Sequence, residues 1–110
     1  MEARSKVVKQ LLIPLTLLAL TVVEMDRAWA ADVFAGQAVY EARCTNCHGH
    51  DGKPVLPGTP DFTRGAGLMA PDSALVPVMK TGKGLMPGYE HILSEKDILN
   101  VLAYTRTLQR

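Results

Sequence analysis

Cys44-Thr45-Asn46-Cys47-His48 is the stretch on which the reading of this chain turns. Two thiols three positions apart at a helix end can reach two vinyl groups along one edge of a porphyrin. The histidine that follows is then carried beneath the metal. Cys-x-x-Cys-His is accordingly the attachment signature of c-type haem, with two thioether links and one axial imidazole. Other chemistries use the same residue types. A Cys44–Cys47 disulfide suits an oxidising compartment. A thioredoxin-like redox pair needs a βαβ setting that the chain does not offer. A zinc site needs four ligands, and only His50 and His91 could join the two cysteines, without the usual second cysteine pair. The haem reading is favoured over these three.

Upstream, residues 1–10 carry Arg4, Lys6 and Lys9, and Leu11 to Val23 contains no charge. Ala28-Trp29-Ala30 then reads as a small-x-small cleavage site. A basic start, an apolar stretch and small residues at the cut are the layout of a secretory signal. Residues 1–30 are expected to be that signal and residues 31–110 the working domain. A retained anchor is the lesser reading. Thirteen helical residues span about 20 Å against a hydrocarbon core of about 30 Å, and Pro14 interrupts the run. Either way the working part is expected outside the cytoplasm, in a periplasmic or otherwise exported location.

From Ala31 onward the chain has eight acidic and eight basic side chains, so a strongly basic nucleic-acid binder is excluded. The 47% hydrophobic content of the whole chain is too high for disorder. Its only tryptophan, Trp29, falls in the signal. Phe34, Phe62, Tyr40, Tyr89 and Tyr104 are the aromatics left. A domain of this size draws only a few kcal/mol from a protein core, so a disulfide, metal or cofactor is expected to complete it.

Three helices are predicted. Asp32 is a good N-cap for the first, which runs to about Arg43, with Gly36 placed for close packing against another helix. The second starts at Asp72 or Ser73 and should hold one or two turns at most, because Pro77 lacks an N–H. Ser94 caps the third, in which Ile98, Val101, Leu102 and Tyr104 recur at helical spacing. His48 to Pro71 is rich in glycine and proline and reads as loop. A loop of that length in so small a domain makes sense if it wraps something other than protein.

Iron held by His48 has a sixth position. Met69, Met79, Met86, His50 and His91 are the candidates. Met79 sits on the apolar side of the second helix, where core packing is its expected role. His50 follows the attached segment too closely to cross to the other face, and His91 reads as a surface residue. Met86 stands out through its setting, Gly82-Lys83-Gly84-Leu85-Met86-Pro87-Gly88-Tyr89. Glycines there admit close approach to a flat cofactor, Pro87 stiffens the chain, and a thioether suits iron.

Taken together, Asp32 to Leu108 resembles the small class I cytochromes c of the bacterial monohaem style. Gly36 with Tyr40, and Val101 with Tyr104, are similar to that family's paired positions on its first and last helices. Cys44 to Gly49 is similar to its attachment motif, and Met86-Pro87 to its distal methionine. Pro60, in Pro60-Asp61-Phe62, looks like the proline whose carbonyl holds the proximal histidine. Pro77 and the missing tryptophan depart from the pattern. The resemblance implies an all-α cytochrome c-like fold of about three helices and long loops around one covalent haem c. Its cofactor-binding residues would be Cys44, Cys47, His48, Pro60 and Met86, with His48 and Met86 on the metal.

The function so implied is one-electron transfer, as a carrier or as a small subunit of a periplasmic oxidoreductase chain, and not catalysis. Partners would be redox proteins, with Lys80, Lys83 and Lys53 as a modest basic rim or as ordinary solvated lysines. Nucleic acid is not expected as a partner, and a membrane only if residues 1–30 are retained. The alternative is a haem enzyme or gas-binding sensor with a labile sixth ligand.

Overall fold

The computed structural model describes residues 30–110. The expected signal or anchor lies outside the described residues, apart from Ala30. The described part contains α1 (Val33–Arg43), α2 (Thr45–His48), a 3-10 turn (Phe62–Arg64), α3 (Asp72–Thr81) and α4 (Glu95–Arg106). Among the described residues no strand forms, only an isolated Lys83–Met86 bridge. None of the helices described is long and apolar enough to cross a membrane.

Helix α1 begins where Asp32 was expected to cap it. The Asp32 carboxylate accepts from the Phe34 and Ala35 amides at 2.9 and 3.0 Å. Helix α4 begins at a reciprocal capping box. The Ser94 hydroxyl accepts from the Asp97 amide at 3.1 Å, and the Asp97 carboxylate accepts from the Ser94 amide at 3.2 Å.

The two helices cross at Gly36. A Cβ there would drive into the Asn100 carbonyl and reach the Val101 nitrogen at 3.0 Å. Buried Asn100 closes the same crossing, its side-chain oxygen accepting from the Asp32 amide at 2.8 Å. Tyr40 and Tyr104 meet one turn along, ring centroids 5.3 Å apart. Tyr40, Phe62, Leu68, Met79, Ile98, Val101 and Leu102 form the core. Met79 is therefore a packing residue, as its place on α3 suggested.

The all-α fold of a few helices and long loops is as expected, with differences in detail. The attachment motif adds a short helical turn of its own, α2, which makes four α-helices among the described residues. Cys44, at φ −113°, separates that turn from α1. The 48–71 loop is not wholly irregular, since Asp61 caps a 3-10 turn by accepting from the Thr63 amide at 3.0 Å.

Helix α3 runs ten residues through Pro77 and does not stop after one or two turns. Proline there deprives only the Ser73 carbonyl of its helical donor, and both Ser73 and Pro77 are exposed, so water can serve instead. Farther on, the Thr81 hydroxyl donates to the Pro77 carbonyl at 2.9 Å and reinforces the last turn.

Three carboxylates are held below the usual aspartate range. The Lys53 amide acts on Asp51, the Thr63 hydroxyl on Asp61 and the Ser94 hydroxyl on Asp97. Each folded value lies below the unfolded one. Their stabilisation is complete above the unfolded pKa and is lost as pH falls through the folded values. The thermal midpoint should therefore hold between about pH 8 and 5 and fall steadily below about pH 4. A scanning-calorimetry series in which the midpoint rises on acidification would contradict this.

Candidate haem-attachment site

The attachment residues are positioned from α1. Tyr40, Cys44 and His48 follow one another at four-residue intervals, so the end of α1 and the turn of α2 bring them toward one side. The Cys44 amide donates to the Tyr40 carbonyl at 2.8 Å, and the His48 amide to the Cys44 carbonyl at 3.0 Å. Gly49 ends α2 with φ 76°, where a Cβ would collide with the Lys53 carbonyl. That left-handed residue turns the chain sharply back. The loop then returns along the motif, with the Val55 and Leu56 amides donating to the Cys47 carbonyl at 3.0 and 3.2 Å.

Both cysteines are free thiols, Cys47 exposed and Cys44 half-buried. Burial, and behind it the neighbouring Cys47, push the Cys44 thiol up to about 11. The His48 ring stacks on Phe62 with centroids 4.5 Å apart and planes 10° from parallel. Its burial lowers the imidazole pKa, which favours the neutral ring able to ligate a metal. Nδ1 of His48 is buried and has no hydrogen-bond partner. Pro60 is therefore not joined to His48 by a hydrogen bond. It is exposed, and its ring lies 3.5 and 3.6 Å from where a Gly67 Cβ would sit.

Met86 approaches the same core from another segment. Lys83 and Met86 exchange both backbone hydrogen bonds at 3.0 Å, closing a two-residue hairpin over Gly84 and Leu85. Gly84 has φ 59° and Leu85 does not have a positive φ, the pattern of a type II′ turn. The flanking glycines serve this chain's own backbone. A Cβ on Gly82 would lie 2.5 Å from the Met86 carbonyl oxygen and 2.8 Å from the Gly88 nitrogen. One on Gly88 would lie 2.6 Å from the Lys80 carbonyl oxygen. Backbone bonds from Tyr89 to Met79 (2.9 Å) and from Glu90 to Lys80 (3.2 Å) fasten the segment to α3. Of the other candidates for the sixth position, Met69, His50 and His91 are exposed.

Cys44 and Met86 pack against one apolar cluster, and the Phe62 that stacks on His48 belongs to it. The donor set fits a c-type haem: two thiols, a half-buried imidazole with an unpartnered nitrogen, and a thioether. Large apolar side chains lie exposed beside these donors, Val55 at 68% next to the Cys47 carbonyl and Leu85 at 85% next to Met86. Three contributors were missed in the sequence. Phe62 stacks on His48, and the Tyr40 hydroxyl donates to the Gly49 carbonyl at 2.7 Å. The Tyr89 hydroxyl donates to the Arg43 carbonyl at 3.3 Å, linking the methionine segment to the end of α1. The four-residue spacing of Tyr40 from Cys44 was a signal for the second of these; the other two follow from loop paths that carry no periodicity.

Comparison with known proteins agrees. Residues 31–104 match a family model described as cytochrome c oxidase, cbb3-type, subunit III. Cytochrome c6 of a Picosynechococcus species is 33% identical over 105 residues, covering 87% of this chain and 90% of that protein. Cytochrome c6 of a Synechococcus species is 35% identical over 98 residues, covering 82% and 87%. In three dimensions the chain resembles cytochrome c6 of the diatom Phaeodactylum tricornutum. There the TM-score is 0.60 at 27% identity, over 70% of this chain and 93% of that one.

Proposed function

The chain belongs to the class I monohaem cytochrome c family, and we propose that within it Cys44 and Cys47 would hold the haem as thioethers while His48 and Met86 would ligate its iron. Its function is electron transfer through one covalently attached haem c, and it is a carrier, not an enzyme. When bound, that haem supplies a one-electron couple, and the protein sets its potential and its access.

The residues divide the work. Phe62 keeps one face of the His48 ring in apolar contact, and partial burial lowers its pKa toward the neutral form. The Gly82–Gly88 interlock and the bonds to α3 hold Met86 at a fixed place, which favours one ligation state over both oxidation levels. A thioether ligand disfavours the ferric charge and so raises the potential. Lys53 and Lys83 are exposed and Lys80 is tied to Glu95, so Lys53 and Lys83 are the better candidates for meeting an acidic partner. The partners are redox proteins that dock weakly and leave quickly.

The observation that carries this reading is the half-buried, Phe62-stacked His48 directly after two thiols. Carbon monoxide added to the reduced protein tests it against a gas-binding site. The spectrum should change little at neutral pH. Rapid, stoichiometric binding would mean that the sixth position is labile and Met86 is not a firm ligand.

We further propose that residues 1–30 are an export signal and that residues 31–110 are the working domain, delivered outside the cytoplasm. The basic start, the charge-free run from Leu11 to Val23 and the Ala28-Trp29-Ala30 site support this. Intact-mass measurement of the exported protein should give a chain beginning at Ala31. A mass that includes residues 1–30 would favour the anchor.

A further inference from the structure

Tyr40 is the most deeply placed polar group near the attachment turn. Its side chain is 0% exposed, yet its hydroxyl ends on the backbone of the motif and not in solvent. It donates to the Gly49 carbonyl at 2.7 Å and lies 3.3 Å from the His48 carbonyl. The shorter contact has ideal length for an O–H···O bond. Phenylalanine would fill the same space in the core, so the packing of the ring does not call for the oxygen. The tyrosine is held at both ends, its ring against Tyr104 and its oxygen against the turn.

The turn it grips is the one whose geometry matters. Gly49 has φ 76°, and a Cβ there would collide with the Lys53 carbonyl, so only glycine fits this turn. A buried carbonyl must find a donor, and Tyr40 supplies it. The His48 carbonyl, in the peptide one residue earlier, lies 3.3 Å from the same hydroxyl, and the His48 ring has no hydrogen bond at Nδ1 to orient it. Two contacts remain to set the ring: stacking on Phe62, and the orientation of its own backbone.

We propose that Tyr40 is a positioning residue, whose hydroxyl fixes the His48–Gly49 backbone and through it the plane of the His48 imidazole. The proposal rests on His48 being an axial ligand. Burial raises the phenol pKa well above its usual 10.0, so the hydroxyl stays a donor across the working pH range.

The test uses the haem-loaded protein and the variants Tyr40→Phe and Val101→Ala. Both lose stability, the first by leaving a buried carbonyl without a donor, the second by opening a cavity in the same core. Only Tyr40→Phe should alter the orientation of the imidazole. The readouts are the spread of the hyperfine-shifted haem-methyl proton resonances, which follows the axial ring planes, and the midpoint potential. Both should shift in Tyr40→Phe and stay at the wild-type values in Val101→Ala. If both variants keep the wild-type pattern, or both shift alike, the hydroxyl has only a structural role and the proposal fails.

Should Tyr40→Phe not fold, 3-fluorotyrosine placed at position 40 keeps the ring and strengthens the donor. Its resonances should then shift from those of the wild type, and an unchanged spectrum overturns the proposal. A wild-type protein without a low-spin, histidine-ligated spectrum would instead overturn the ligand assignment of His48, a separate and distinguishable failure.

Discussion

Gly36→Ala should lower the thermal midpoint of the protein by about 15 °C or more, which corresponds to a loss of about 3 kcal/mol in a domain of this size. At most glycines a methyl group can be absorbed by moving a side chain. Here the atoms in its way are the Asn100 carbonyl and the Val101 nitrogen, all backbone of α4. No rotamer can relieve the clash, so the two helices must separate. Separation also stretches the Asp32–Asn100 bond and loosens Tyr40 on Tyr104. Typical domains have only about 5–15 kcal/mol in hand, so this is a large share. Gly58→Ala is the control. Nothing lies within 4 Å of a Cβ there, and only the left-handed backbone, φ 83°, is strained. That costs about 1–2 kcal/mol. Thermal melts in which the two variants fall equally would show that the crossing is not closely packed.

Changing Cys44 and Cys47 together to serine should abolish covalent haem. A serine hydroxyl has no accessible anionic form at neutral pH and forms no thioether. The two cysteines are not equivalent. Burial pushes the Cys44 thiol up to about 11, while Cys47 is exposed. Each is close to the backbone that sets His48, because α2 is a single turn from Thr45 to His48. Serine fits both places, so the double variant tests chemistry and not packing. Haem staining after denaturing electrophoresis should give a band for the wild type and none for the variant. A stained band in the variant would remove the thioether attachment from the account.

Both predictions concern residues that were visible before any fold was known, and the reasons are local. Asp32 and Ser94 announce helix starts because a cap is a short-range hydrogen bond between neighbours in sequence. Gly36 was legible as a close approach, though not which backbone it meets. Cys44, Cys47 and His48 were legible because attachment chemistry fixes their spacing.

What the sequence hid depends on water or on chain paths. Pro77 looked like a helix breaker, but its missing bond falls on an exposed carbonyl that water can satisfy. Gly82 and Gly88 were read as room for a flat cofactor. Their Cα atoms instead face the chain's own backbone, across a hairpin whose path no periodicity reveals. Phe62 came into view only once the 48–71 loop had folded back to the motif, where its amide donates to the Gly52 carbonyl at 3.0 Å.

His48 and Met86 are the residues proposed to hold the haem iron, and one spectrum addresses that assignment most directly. The oxidised wild-type protein should show a low-spin visible spectrum together with the weak near-infrared band of sulfur-to-iron charge transfer. Met86→Ala should lose that band while keeping the covalent haem and the helical content. A band that survives in Met86→Ala would assign the sulfur ligand to another methionine and contradict the account.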